Sequence, residues 1–275
     1  MEGVLLIRLI FAIFKMNIKS VLFYRFAYLF ELVSIFVSLV IYYYTSKAFS
    51  GSVEGPLNEY QVDYFTFIVL GEVFLAIPLY FLEGPFRNLK TAVIEGTWET
   101  MNSLPKSPFK SLIYISTFDF PRVSLRCFVT LILAILFFNL RISFLDFLQV
   151  TYIQVLAIPF CFGFGLIACS IFLLSGRGQS FIGYLTTFTA FFSGGFFPIS
   201  VFPQWLRDAS YMFSPFTYLL ENSRRIVAGT IGNSHLLDIT IHLTLWSMIF
   251  IVGHFSVSRA LLYRRRKGGK VIISS

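Results

Sequence analysis

Long apolar stretches separated by short charged segments are the feature that most constrains this chain. Such a stretch can cross a membrane as a helix when it contains about 20 mostly apolar residues, because the hydrocarbon core is about 30 Å thick and a helix rises about 1.5 Å per residue. The pattern predicts an all-α integral membrane protein with six transmembrane helices. The stretches that qualify are residues 26–46, 64–82, 111–140, 147–175, 180–197 and 239–258.

Composition excludes an ordinary soluble protein. Hydrophobic residues make up 56% of the chain and charged residues 13%, whereas soluble domains carry about 25% charged residues. Lipid must therefore cover part of the apolar surface. The net charge of +8 does not indicate a nucleic-acid partner, because the cations lie between the apolar runs and in the tail rather than in one basic patch.

The third stretch is too long to lie wholly in hydrocarbon, since its residues would form a helix about 45 Å long. Its charges Asp119, Arg122 and Arg126 all fall in its first half, at helical spacings of three and four. We expect this half to project into the headgroups or the cytoplasm. The three charges form either a charged seam against a neighbouring helix or a solvated helix end.

Lys and Arg near the span ends fall mostly on one side of the predicted topology. This side includes the segment before the first span, the loop between the second and third spans, and the basic tail from Arg264 to Lys267. Positive charge favours the cytoplasmic side. The distribution therefore predicts a multi-pass protein of the cell membrane with both termini in the cytoplasm, which agrees with an even number of spans.

The segment before the first span, residues 1–25, has an amphipathic pattern. Arg8, Lys15 and Lys19 share one helical face of an otherwise apolar stretch, which is typical of a helix lying in the membrane interface. The alternative is the start of a longer first span. The apolar run from Val4 is not expected to be a cleaved signal, since no basic residue precedes it and no cleavage site follows.

The segment at residues 198–238, on the outer side, is too apolar for an ordinary loop and too interrupted to span. Pro198, Pro203 and Pro215 break it, and aromatic residues such as Trp205 favour the membrane interface. Broken backbone at membrane depth is tolerated only where protein or a cavity covers it. We therefore predict short re-entrant or interfacial helices that cap the outer leaflet.

Glu72, inside the second span, is the most conspicuous single residue. A carboxylate within a span is costly, and a functional role is the default hypothesis. Glu72 could relay a proton or contact a cationic substrate, or it could be a structural partner for a polar group on a neighbouring helix. The first role would suit an ion-coupled secondary transporter or a channel.

Enzymatic motifs are absent from the sequence. It contains no Gly-rich phosphate loop that ends in Gly-Lys-Ser or Gly-Lys-Thr, no Ser-centred nucleophile elbow and no pair of metal-protease histidines. The chain is therefore predicted to need no cofactor and not to be an enzyme.

Two sequence segments resemble the type-2 permease subunits of ATP-binding-cassette exporters. One lies in the cytoplasmic loop at residues 83–110, where Glu-Gly-Thr-Trp-Glu at 95–99 is followed by Leu-Pro-Lys-Ser-Pro at 104–108. The other combines Phe-Phe-Pro at 196–198, Pro-Gln-Trp-Leu at 203–206 and Ser-Pro-Phe at 214–216. The layout of an interfacial helix followed by six spans is similar to the family as well.

The resemblance implies a role for the cytoplasmic loop. In the family this segment is a coupling helix that docks on the ATPase, although Glu95 stands where the family often has Arg. The residues that match the coupling element are Glu95, Gly96, Thr97, Trp98, Glu99 and Pro105.

The resemblance also implies partners: a separate ATP-binding-cassette ATPase, and a second permease that is either a copy of this chain or a paralogue. An exporter of a lipophilic or amphipathic substrate is the expected function. An ion-coupled secondary transporter or a channel is the alternative.

Overall fold

A computed structural model describes residues 25–57, 60, 62–98, 100, 108–117, 120–230 and 233–266. Helices dominate these ranges, and no strand is found among them, as an all-α membrane protein requires. Besides one 3₁₀ turn, Ile199–Val201, the helices are α1 (Arg25–Leu57), α2 (Tyr64–Ile94), α3 (Pro108–Ser116), α4 (Phe120–Phe138), α5 (Phe144–Ser175), α6 (Gly178–Phe192), α7 (Gln204–Phe213), α8 (Pro215–Val227), α9 (Asn233–Trp246) and α10 (Met248–Arg266). The predicted interfacial helix, residues 1–25, lies almost wholly outside the described residues.

Five helices in the described part of the chain are long and apolar enough to cross a membrane. They are Tyr28–Phe49, Tyr64–Ile94, Phe120–Phe138, Phe144–Ser175 and His235–Arg264, the last combining α9 and α10 around a turn at Ser247. α2 and α5 are mostly buried by the other helices, whereas α1, α4 and α9–α10 are mostly exposed. This division is expected, since helices that are apolar on all sides occupy the centre of a bundle.

Small residues bring α5 and α10 into close contact. Gly163 and Gly253 face each other, and a Cβ atom at either position would overlap the backbone of the other helix. Helices in a membrane associate largely through such close packing, because lipid tails are as apolar as the side chains and provide no hydrophobic drive.

The prediction that residues 111–140 form a single continuous helix is wrong. The structure divides it into α3 and α4, with Thr117 in a turn whose carbonyl accepts from Phe120 N at 3.3 Å. Pro121 explains the break, because a proline ring inside a continuous helix would clash with the carbonyl four residues earlier, which here belongs to Thr117. At the second position of α4, a proline is tolerated.

Other helices differ from the predictions as well. α1 continues past Ser46 to Leu57, and the sixth predicted span, residues 239–258, is interrupted at Ser247. α2 continues past Leu82 to Ile94 even though Pro78 and Pro85 lie inside it. α6 ends at Phe192, and its 15 residues would extend about 22 Å, less than the thickness of the hydrocarbon core. The prediction of six spans therefore stays a prediction.

Candidate functional site

Ion pairs connect α4, which carries Arg122 and Arg126, to Glu31 of α1 and to Glu72 of α2. Arg122 Nη2 of α4 lies 3.1 Å from Glu31 Oε2 of α1, and Arg126 Nη2 lies 3.8 Å from Glu72 Oε1 of α2. The two arginines are four residues apart and therefore share one face of α4. Asp119, the third predicted member of this seam, lies outside the described residues.

The Glu72 carboxylate uses only part of its capacity to accept hydrogen bonds. Its Oε2 atom is buried and accepts no hydrogen bond from the described residues, while Oε1 faces Arg126 beyond hydrogen-bonding distance. The Tyr42 hydroxyl of α1 also interacts with this carboxylate. The structure therefore places Glu72 between α1 and α4, at a point where three helices contribute polar groups.

A second polar cluster lies in the segment after α6, and Arg224 of α8 is its centre. The side chain is almost fully buried and donates to the carbonyl oxygens of Gly194 at 2.6 Å, Gly195 at 2.9 Å and Phe67 at 3.0 Å. It also lies 3.5 Å from the centroid of the Phe67 ring. One guanidinium group thus joins α8 to the end of α6 and to the first turns of α2.

Local sequence explains why these carbonyls need a donor. α6 stops at Phe192, and Gly194 adopts a positive φ of 73°, a conformation that favours glycine. The chain then leaves the helix, and its carbonyl groups have no partner in a following turn. Burial lowers the pKa of Arg224 to about 10, so the guanidinium stays charged at neutral pH and donates strong hydrogen bonds.

Glu221 belongs to the same turn of α8 and is also buried. It accepts a hydrogen bond from the Tyr60 hydroxyl at 3.0 Å and pairs with Arg225 Nε at 3.3 Å. Burial and the nearby Glu221 carboxylate raise the pKa of Tyr60, so its hydroxyl remains a donor. Tyr60 lies in the connection from α1 to α2, and this pair therefore anchors that connection to α8.

The predicted outer residues mark the starts of the short helices. Pro198 precedes the 3₁₀ turn, Pro203 precedes α7, and Pro215 is the first residue of α8, where the Ser214 hydroxyl caps Thr217 N at 3.2 Å. Trp205 is 71% exposed and lies on the surface of α7. Proline suits a first helical position, because its missing N–H would have no partner there.

The predicted coupling residues follow the end of α2. Gly96 adopts a positive φ of 71°, and the Thr97 hydroxyl donates back to the carbonyl of Ala92 at 3.2 Å. Trp98 is buried, whereas Glu95 is exposed. Glu99 and Pro105 lie outside the described residues.

Sequence reasoning missed Arg224, Glu221 and Tyr60. None of the three residues was singled out from the sequence. Glu221 and Arg224 are three residues apart and follow Ser214 and Pro215, which are typical of a helix start. This pattern could have identified a helix with one charged face. Among the described residues no group of His, Cys, Asp and Glu could hold a metal ion.

Comparison with protein families identifies the family of this chain. The family model described as ABC-2 type transporter matches residues 8–227, which is most of the chain and ends with the last residue of α8. The chain belongs to the ABC-2 type transporter family. The match confirms the resemblance to ATP-binding-cassette permeases that the loop and outer motifs indicated.

Membership of the ABC-2 family carries general consequences. The family provides the membrane-spanning subunits of transporters, and these work with an ATP-binding subunit and are not themselves catalytic. This chain is therefore a multi-pass membrane protein and a transport subunit. A comparison with curated proteins found no match.

Proposed function

We propose that this ABC-2 permease exports a lipophilic or amphipathic substrate across the cell membrane, driven by a separate ATPase that docks on residues 95–99. Both termini face the cytoplasm, and the chain works as a pair with a second copy or a paralogue. The observation that carries the proposal is the family match over residues 8–227, which covers both the coupling segment and the outer helices.

α2 supports the coupling step, because it connects the two ends of the molecule. Its 31 residues would extend about 46 Å, more than the thickness of the hydrocarbon core. The segment from Glu95 to Trp98 directly follows its last turn, and the buried Trp98 fixes that segment against the helix bundle. A displacement of this segment by an ATPase would therefore move α2.

The other end of α2 is fixed to the outer helices. Arg224 donates to the carbonyl of Phe67, and the Tyr64 hydroxyl donates to the carbonyl of Phe196 at 3.2 Å. Gly71 lies so close to Gly195 and Arg224 that a Cβ atom would not fit. Because these contacts are tight, movement of α2 would carry α8 and the end of α6 with it.

A cavity beneath the outer helices has apolar walls, and these support an apolar cargo. A cavity of about 260 Å³ lies between α5, α6, α7 and α8. Its aromatic lining residues are Phe164, Phe188, Phe192, Phe213 and Phe216. Apolar and aromatic walls favour a lipophilic or amphipathic molecule over a small hydrophilic ion, whose hydration shell they could not replace.

Transport in liposomes tests the proposal. The purified chain, reconstituted with its ATP-binding-cassette ATPase partner, is expected to move a fluorescent amphiphile only when ATP is hydrolysed. Transport by the chain alone under a proton or sodium gradient would refute the proposal and favour the ion-coupled alternative, in which Glu72 carries the ion.

Deletion of residues 95–99 tests the docking segment. We expect the variant to insert in the membrane but to lose co-purification with the ATPase. Deletion of residues 268–272 in the tail is the matched control and is expected to retain the ATPase. Retention of the ATPase by the 95–99 variant would show that docking occurs elsewhere.

A further inference from the structure

A cavity of about 320 Å³ lies between α2, α4 and α5. α4 and α5 each pack against α2 but hardly touch each other, which leaves a gap between them. Phe128, Phe147 and Val155 line the cavity and are also exposed, so the cavity opens on the side surface of the bundle. All three helices are long and apolar enough to span a membrane, and this surface would therefore face lipid. The volume is at the lower end of the range of small-molecule sites, about 300–1,000 Å³.

The walls of this cavity are almost entirely apolar. Among the described residues that line it, none is charged, and the polar side chains are Ser124, Thr151 and Gln154. An ion would lose its hydration shell there without gaining a counter-charge, and apolar cavities of this kind exclude water. The lining therefore favours an uncharged, lipophilic occupant.

Gln154 makes this cavity different from a purely apolar one. The residue is buried, and its Nε2 atom donates to the carbonyl oxygen of Phe74 at 3.0 Å. This carbonyl lacks its usual partner inside α2, because Pro78, four residues later, has no N–H to donate. Since a carbonyl can only accept, the amide nitrogen of Gln154 must face Phe74, and the amide oxygen is left for another partner.

The Oε1 atom of Gln154 has no such partner in the described part of the chain. It is buried and accepts no hydrogen bond there. The hydroxyl of Thr151, which also lines the cavity, donates instead to the carbonyl of Phe147 at 2.7 Å. A buried acceptor without a donor is unfavourable, above all in a membrane, where water cannot replace the missing group. The vacant acceptor indicates an occupant that carries an O–H group.

We propose that this cavity binds a long-chain alcohol, whose hydroxyl donates to Gln154 Oε1 and whose hydrocarbon chain covers the apolar walls. The alcohol enters from the bilayer through the gap between α4 and α5. The site shares no lining residue with the cavity beneath the outer helices. The proposal depends on the placement of α2, α4 and α5 in the membrane, and not on the ATPase or on the exported substrate, so either proposal can fail without the other.

Two ligands of equal size test the hydrogen bond. The full chain is placed in bilayer discs of phosphatidylcholine, which has no O–H or N–H donor, and is labelled with a photoreactive long-chain alcohol whose adducts are located by mass spectrometry. Dodecanol and undecyl methyl ether have the same numbers of carbon and oxygen atoms, but the ether cannot donate. At equal concentration in the membrane, we expect dodecanol to compete about fivefold better, as one hydrogen bond contributes about that factor. Equal competition, or no adduct on the cavity lining, would overturn the proposal.

Variants of the polar lining residues test which acceptor is used. Gln154→Met keeps the length of the side chain and removes the amide, so the preference for dodecanol over the ether should disappear. Thr151→Val is the matched control and should keep the preference, because its hydroxyl is already bonded within α5. The ratio of the two ligands is measured within each variant, so an unequal yield of folded protein does not imitate the effect. Loss of the preference in Thr151→Val, or its survival in Gln154→Met, would contradict the proposed contact.

A bulky side chain at the opening tests the position of the site without touching Gln154, and its outcome does not depend on whether Gln154→Met folds. Val155 is 57% exposed, so Val155→Trp can fill the gap without displacing the core. We expect this variant to lose most of the photolabelling while its melting temperature stays near that of the wild type. Leu148→Trp, at a position of α5 that is 48% exposed and outside the lining, should be labelled normally. Normal labelling of Val155→Trp would refute the proposed site.

Discussion

Arg224 and Phe67 are 157 positions apart in the chain, yet the Arg224 guanidinium lies 3.5 Å from the Phe67 ring centroid and donates to the Phe67 carbonyl. The same guanidinium reaches Gly194 and Gly195. This contact joins the segment that follows α6 to the beginning of α2, the helix that ends at the proposed ATPase contact. It connects α8 and the end of α6 directly to α2.

Removal of the Arg224 guanidinium should be strongly destabilising. In Arg224→Met, the carbonyls of Gly194 and Gly195 lose their donor and that of Phe67 in α2 loses an additional one, so we expect a loss of about 3 kcal/mol in the free energy of unfolding. A fall of several degrees in melting temperature in detergent would report this. Arg207→Met, a cation of α7 that is less buried, should melt near the wild type. An unchanged melting temperature in Arg224→Met would contradict the role of this contact.

Close packing at Gly71 should make this position intolerant of any side chain. A Cβ atom would overlap the Gly195 carbonyl oxygen and the Arg224 guanidinium, so Gly71→Ala is expected to lower the melting temperature and to reduce transport. Gly183→Ala is the matched control, because nothing lies within 4 Å of its Cβ position in α6. Alanine is favoured over glycine in a helix by up to about 1 kcal/mol, so the control should be neutral or slightly stabilised.

The Glu72–Arg126 pair should be detectable in a double-mutant cycle. Glu72→Gln leaves the arginine without its carboxylate, and Arg126→Gln leaves the carboxylate without its cation, so each single variant should melt below the wild type. The double variant should lose less stability than the sum of the two. Because both side chains are partly exposed, we expect a coupling free energy of about 0.5–1 kcal/mol. Strict additivity would show that the pair makes no interaction.

Cysteine labelling should decide whether α6 crosses the membrane. Arg177 precedes α6 and Gln204 follows the 3₁₀ turn, and both are exposed. An impermeant thiol reagent should label Gln204→Cys in intact cells, and Arg177→Cys only after permeabilisation. The native cysteines are buried and should give little background. Labelling of both variants from outside would mean that α6 does not cross and would overturn the six-span topology.

The sequence predicts the positions of helices well where these depend on neighbouring residues. Apolar length identified the regions of α1, α2, α4, α5 and α9–α10, and Pro198, Pro203 and Pro215 correctly indicated that the outer segment is broken into short pieces. Pro121 disfavours a continuous helix between α3 and α4, since its ring would clash with the Thr117 carbonyl, but the long apolar run was given more weight. Proline by itself does not decide such a break, because Pro78 and Pro85 lie inside α2. The error arose because hydropathy does not represent the backbone N–H that a proline lacks.

Span length and short motifs are properties of neighbouring residues, and they were enough to identify a helical membrane protein of the ABC-2 family. Which charges meet depends on how the helices pack. Arg224 approaches Phe67, and Arg126 approaches Glu72, because helices far apart in the chain pack side by side. A buried charge must find its partner in three dimensions, and no local spacing specifies a partner that lies on another helix.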